Sequence, residues 1–168
     1  MDKTLNTNVS YLVMDVDGTL TDGKIYIGEN GEMMKAFDVK DGYAIKEMLP
    51  QYAITPVIIS GRTSKITGIR AKELGVHLVF LGYSDKLSML ELIASETSTA
   101  FEEIAYIGDD ISDLECIKRC GVSACPADAA EEVKSCVDYV TEKLGGDGAV
   151  REFVEHLIGL NKKLKNQR

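Results

Sequence analysis

A chain of 168 residues, 45% apolar and 27% charged, can close one hydrophobic core but leaves no room for a second ordinary domain. Its net charge of −8 argues against a nucleic-acid surface, and no apolar run approaches the roughly 18 residues that span a bilayer. The start of the chain is polar and has no signal-peptide core, so the cytoplasm is the expected compartment. Cys116, Cys120, Cys125 and Cys136 form no Cys-x-x-Cys pair and read as small buried thiols rather than zinc ligands.

In chain order, Tyr11–Met14 predicts a buried strand that runs straight into Asp15, Asp17 and Gly18. Two acids ending a core strand are either a turn or cap device or a site, because an unpaired buried carboxylate is costly. Residues 24–37 predict a hairpin flap with Asn30-Gly31 as its turn. A helix after Gly42, with Tyr43, Ala44, Met48 and Leu49 facing inward, should stop at Pro50. A second strand over 54–59 ends in Ser60-Gly61, and a helix follows from about Thr63 to Leu74, with Gly75 as its C-cap. Residues 76–81 predict a third strand, and Ser84 a cap for a helix running from Lys86 to Glu96. Residues 104–107 predict a fourth strand ending in Gly108-Asp109-Asp110, then a helix to Cys120. A short strand over 122–125, a helix over 128–135, an edge strand near 137–141 and a helix over 149–160 complete the chain.

Short apolar runs alternating with helical segments give parallel strands joined by right-handed crossovers. The expected fold is α/β: a three-layer, Rossmann-like parallel sheet of about five strands, with a small hairpin flap and no large cap domain. Residues 1–168 form one domain, ending in a basic, solvated tail at about 161–168.

Ligands in such sheets bind outside the carboxyl ends of the strands. Here those ends carry Asp15 and Asp17, Ser60 and Gly61, and Asp109 and Asp110, with Lys86 just past the third strand. Two like charges 4 Å apart cost about 4 kcal/mol at an effective dielectric near 20, and a hard divalent cation removes that cost. Oxygen donors without His or Cys point to Mg²⁺, which suits phosphoryl chemistry. One carboxylate can then be a nucleophile and a second, two residues on, an acid/base, while Ser60 and Lys86 hold and neutralise the phosphoryl group.

The set Asp15-Val-Asp17-Gly-Thr, Ser60-Gly61, Lys86 and Gly108-Asp109-Asp110-x-x-Asp113 resembles the haloacid dehalogenase superfamily of phosphatases. Longer stretches, among them Asp15–Gly23, Gly31–Tyr43, Ser60–Arg62, Arg70–Gly75, Tyr106–Asp110 and Gly145–Glu152, resemble the 3-deoxy-D-manno-octulosonate 8-phosphate phosphatase family over nearly the whole chain. That resemblance implies Asp15 as nucleophile and Mg²⁺ ligand. It implies Asp17 as acid/base, ligating through its carbonyl, and Asp109 as the remaining ligand, with Asp110 and Asp113 in support. Ser60, Gly61 and Lys86 would bind phosphate. Asp38, Val39, Lys40, Asp41, Gly42, Lys46, Arg62 and Arg70, with Asp17 and Lys86, would line the sugar-acid site. The family also implies a homotetramer whose hairpins pack together, a role in lipopolysaccharide biosynthesis, and a Gly145–Glu152 segment able to fold over the site.

The alternatives are a phosphatase for a nine-carbon, sialic-acid-type keto-sugar-acid 9-phosphate and a non-catalytic partner of a sugar-nucleotide synthetase. A phosphoacceptor receiver module fits less well, because Ser60 stands where its aspartate is needed. Arg62, in a place where the nine-carbon enzymes tend to carry an acid, favours the eight-carbon substrate.

Overall fold

A computed structural model describes residues 8–166. Strands β1 (Tyr11–Met14), β4 (Thr55–Ser60), β5 (Leu78–Leu81), β6 (Ile104–Ile107), β7 (Val122–Cys125) and β8 (Tyr139–Val140) form one parallel sheet in the order β5-β4-β1-β6-β7-β8. The expected sheet of about five strands thus has six, because the edge segment near 139 does pair with β7.

Alternation sorts the core into two layers. Leu12 and Met14 face one side, where they meet Ala44, Ile45 and Leu49 of the first helical segment together with Phe153 and Leu157. Val13 faces the other, with Leu90, Ile93 and Cys116. The helices are α1 (Val39–Tyr43), α2 (Leu49–Gln51), α3 (Lys65–Glu73), α4 (Lys86–Thr97), α5 (Leu114–Arg119), α6 (Glu131–Lys134) and α7 (Ala149–Asn166). Among the described residues, no helix is long and apolar enough to cross a membrane.

Pro50 does not end its helix. A π-helical turn over Ala44–Met48 joins α1 to α2, with Leu49 N–H donating to the Ala44 carbonyl. Pro50 then falls in the first turn of α2, where its missing N–H costs little. Tyr43 is half-exposed rather than inward, and Ile45 takes the buried place. The N-cap of α4 is Asp85, not Ser84: its carboxylate accepts the Ser88 N–H at 3.0 Å. Cys136 is exposed, while the other three thiols are buried.

The hairpin is β2 (Tyr26–Gly28) against β3 (Gly31–Met34). Gly28 pairs with Gly31, so Glu29 and Asn30 form the loop, one residue earlier than expected. Gly31 follows at φ +100°, the left-handed position that such a loop needs.

The tail expected at 161–168 is instead helical through Asn166; residues 167 and 168 lie outside the described residues. Buried Phe153, Val154, Leu157, Ile158 and Leu164 line one face of α7, and Lys162, Lys163 and Lys165 remain on its exposed side. Asn161 is buried and clasps Val9 just ahead of β1: its Oδ1 accepts the Val9 N–H at 2.9 Å and its Nδ2 donates to the Val9 carbonyl at 3.1 Å. Asn161→Ala strands both backbone groups and should cost about 2–3 kcal/mol. Urea unfolding reads this as a lower midpoint at unchanged slope. An unmoved midpoint would mean that the C-terminal turns contribute nothing.

Candidate active site

Register brings the chemistry to one end of the sheet. Met14 lies opposite Ile58 of β4 and Ile107 of β6. Asp15 therefore emerges at the carboxyl ends of three adjacent strands together with Ser60 and Asp109, which lie one residue beyond its level. The Asp15 N–H donates to the Ile107 carbonyl at 3.0 Å, which extends the ladder to the acid itself. Beside it opens a cleft of about 290 Å³ whose lining includes Asp15, Asp17, Ser60, Gly61, Arg62, Lys86, Asp110 and Ser112.

Lys86 begins α4 and is buried. Its ammonium donates to Asp15 Oδ1 at 2.6 Å and to Asp113 Oδ1 at 2.7 Å. Burial works against that charge, but Asp15 and Asp113 outweigh it and hold the pKa above its ordinary value. Asp113 is fully buried and saturated. Its Oδ1 also accepts the Tyr106 hydroxyl at 2.6 Å, and its Oδ2 accepts the N–H groups of Asp109 and Asp110 at 3.1 and 3.2 Å. It holds the loop and the lysine rather than offering lone pairs to an ion.

Asp109 accepts the Thr19 hydroxyl at 2.9 Å. A Cβ at Gly18 would run into the Asp109 carboxylate, and φ +98° independently calls for glycine there. Carboxylate oxygens of Asp15, Asp109 and Asp113 gather within 4.8 Å of one another. Burial, then repulsion from Asp113, pushes Asp15 up to about 6 against the pull of Lys86. Burial, then the Asp15 charge, pushes Asp109 up to about 8 although Thr19 opposes it. Crowded acids with all-oxygen donors and one lysine between them fit a hard divalent cation.

Ser60 is buried at the end of β4, and its Oγ accepts the Arg62 N–H at 3.2 Å, leaving its own hydrogen for a ligand. Gly61 and Arg62 are exposed at the rim, and Arg62 Nε stands 3.8 Å from Asp17 Oδ2. Asp110 is exposed and caps the turn that leads into α5 by accepting the Ile111 N–H at 2.8 Å.

The remaining residues expected at the sugar-acid site do not line this cleft within one chain. Asp38 caps α1, accepting the N–H groups of Lys40 and Asp41 at 2.6 and 3.1 Å. Asp41 is buried and accepts the Arg151 N–H of α7 at 2.7 Å. Gly42 is packed against Arg70, whose guanidinium reaches the Asp38 carbonyl at 3.3 Å and lies 5.8 Å from the Phe37 ring centroid. Val39, Lys40 and Lys46 are exposed; Lys40 borders a separate groove with Arg151 and Glu152. Of these residues, Asp41 is bonded to α7 and the Asp38 carbonyl to Arg70 of α3. The Gly145–Gly148 loop packs onto the first motif, with Gly146 N–H donating to the Thr19 carbonyl at 3.0 Å and no space for a side chain at Gly145 beside the Gly18 carbonyl.

Reading the sequence misses three groups: Thr19, Tyr106 and Lys35. Each is a polar side chain inside an otherwise apolar or motif stretch. Lys35 is buried and donates to Asp17 Oδ1 at 2.5 Å.

The acids set a pH dependence. Unfolded, Asp15, Asp41 and Asp109 titrate near 3.8; folded, they titrate at about 6, about 6 and about 8. From pH about 4 to about 8 the folded chain therefore holds more protons than the unfolded one, and stability falls as pH rises through that window. In chelator, the melting midpoint at pH 5 should exceed that at pH 8 by about 5 °C or more. A midpoint that climbs with pH would contradict the crowding.

The haloacid dehalogenase-like hydrolase family model matches residues 63–153. The chain is 41% identical over 151 residues to 3-deoxy-D-manno-octulosonate 8-phosphate phosphatase KdsC of Escherichia coli K12, covering 90% of this chain and 80% of that one. The cobalt-bound form of deoxy-D-mannose-octulosonate 8-phosphate phosphatase from Haemophilus influenzae superposes with a TM-score of 0.89 at 39% identity, covering 94% and 91% of the two chains. The Moraxella catarrhalis 3-deoxy-D-manno-octulosonate 8-phosphate phosphatase, solved in complex with magnesium ion, phosphate ion and KDO, superposes at 0.88 with 36% identity, covering 94% and 90%.

Proposed function

Because the chain belongs to the haloacid dehalogenase-like hydrolases, and within them to the 3-deoxy-D-manno-octulosonate 8-phosphate phosphatase family, we propose that it releases phosphate from 3-deoxy-D-manno-octulosonate 8-phosphate in two steps on Asp15. It is a phosphoric monoester hydrolase. The observation that carries the reading is the single cleft shared by Asp15, Asp17, Ser60 and Lys86, with Asp109 alongside.

Asp15 attacks phosphorus, and the ester P–O bond breaks as Asp17 protonates the departing sugar oxygen. Water, deprotonated by Asp17, then attacks the aspartyl-phosphate at phosphorus, freeing Asp15 and inorganic phosphate. Ser60 and Gly61 hold the phosphoryl oxygens, and Lys86 fixes Asp15 and offsets charge. The carboxylates of Asp15 and Asp109 and the Asp17 carbonyl would hold Mg²⁺, which when bound offsets the charge of the acids and of the phosphoryl group. Asp110 and Asp113 support that arrangement.

Arg62 pairs with the sugar-acid carboxylate, a role supported by its place in the lining of the cleft. Asp38–Gly42, Lys46 and Arg70 reach substrate only across subunits, in a homotetramer. The half- to two-thirds-exposed side chains of Tyr26, Ile27, Met33 and Met34 on the hairpin support such packing. The reaction runs in the cytoplasm, in lipopolysaccharide biosynthesis. Steady-state phosphate release from the eight-carbon and nine-carbon keto-sugar-acid phosphates, each with Mg²⁺ and with chelator, tests the assignment. The eight-carbon ester should be preferred and turnover should vanish in chelator; preference for the nine-carbon ester would overturn the substrate, and metal-independent turnover the mechanism. Light scattering should give about four times the chain mass; a monomer would remove the shared site.

A further inference from the structure

A buried lysine follows directly on β3, whose last two residues are exposed. Met33 and Met34 of β3 are 64% and 54% exposed, yet the next residue, Lys35, has a side chain with no exposure at all. A buried ammonium persists only when its partners are well placed. Those partners are Asp17 Oδ1 at 2.5 Å and Glu32 Oε1 at 3.4 Å. Glu32 is tied down in turn: its Oε2 accepts the Ser64 hydroxyl, and Ser64 caps α3 through the Thr67 N–H. A chain of polar contacts thus runs from the start of α3, through the flap, to the acid/base.

A carboxylate has two oxygens, and only one can face the leaving group. Lys35 takes Oδ1 from beneath the flap. Oδ2 is left toward Arg62 at 3.8 Å, and both Asp17 and Arg62 line the cleft. Simple docking of the hairpin needs no contact with Asp17, since the Glu32–Ser64 bond already joins flap to core.

We propose that Lys35 is a positioning residue: anchored through Glu32 and Ser64, it fixes Asp17 by Oδ1 so that Oδ2 passes the proton to the leaving alkoxide. The flap then supplies part of the acid/base machinery from within the same chain, and its seating controls how well that proton is delivered. The inference rests on the reading of Asp17 as acid/base. In the step concerned, the bond from Asp15 to phosphorus forms, the ester P–O bond breaks, and the proton moves from Asp17 to the departing oxygen.

The leaving group separates positioning from mere structure. An alkyl alkoxide needs that proton; p-nitrophenolate does not. The ratio kcat/KM covers events only through departure of the leaving group, so the later hydrolysis of the aspartyl-phosphate does not enter. With Mg²⁺ saturating, Lys35→Met should lose about 50-fold or more on an alkyl phosphate and less than about 5-fold on p-nitrophenyl phosphate. Lys35→Arg, which keeps a cation, should recover most of the loss on the alkyl ester. Asp17→Asn is the control and should show the same selectivity, more strongly. Equal losses on both esters with Lys35→Met, or none, while Asp17→Asn is selective, overturn the role of Lys35 alone. Absence of selectivity in Asp17→Asn removes the acid/base reading itself. If Lys35→Met does not fold, Lys35→Gln carries the same comparison, with a selective loss of about 10-fold expected and equal losses contradicting it.

Discussion

Asp15→Asn should lower turnover by about 10⁴-fold or more while leaving the melting temperature unchanged or higher. The two halves have one cause. Asp15 is the acid at the end of the central strand, with its backbone still in the ladder through Ile107 and its Oδ1 on Lys86. An amide keeps the shape and can still accept from Lys86, so packing is preserved. It cannot attack phosphorus, so the covalent route closes. It also removes the charge that helps push the Asp109 pKa up and that is itself repelled by Asp113, so the folded state loses repulsion. Phosphate release and thermal melting on the same preparation check both. Turnover within about tenfold of the parent would mean that another group attacks.

Lys86→Met should damage both the stability of the fold and the activity of the site. It should cost about 3–5 kcal/mol, because it leaves the buried carboxylates of Asp15 and Asp113 without their shared cation. Turnover should fall by about 10³-fold, since Asp15 loses the contact that aims it and the phosphoryl group loses a nearby positive charge. The deficit should shrink as pH is lowered, because the stranded acids can take up protons. Lys86→Arg should not rescue it: a planar fork is a poor substitute for a compact ammonium bridging two oxygens 2.6 and 2.7 Å away in a closed pocket. Denaturant melts at pH 5 and pH 8 with parallel assays decide it. A variant as stable as the parent at both pH values would mean that the bridge is dispensable.

These expectations come from side chains whose placement the sequence makes plain. Asp15, Ser60 and Asp109 are legible because a parallel strand has to be apolar and its end does not; polar residues at three strand ends can only meet at one edge of the sheet. The same logic yields the three layers. Contacts that depend on distant backbone are not legible. That Asp38 also caps α1, for example, does not show in the sequence. The bonds from α7 to Asp41 and from Arg70 to the Asp38 carbonyl are equally invisible in the sequence. Pro50 reads as a stop because the sequence does not reveal that a π-turn ahead of it restarts the hydrogen-bond pattern. The basic C-terminus looks like a tail because lysines mask Leu164 and Asn161, whose partner Val9 lies at the other end of the chain. Lys35 hides for the same reason: nothing local explains a lysine there, only Asp17 eighteen residues away.

The central claim is that Asp15 carries the phosphoryl group between the two steps. Rapid acid quench of enzyme turning over with Mg²⁺, followed by borohydride reduction and peptide mass spectrometry, reads it directly. The account predicts homoserine at position 15, formed only when both Mg²⁺ and substrate are present. Reduction at another aspartate, or full turnover with no acyl-phosphate trapped at any time point, would contradict it.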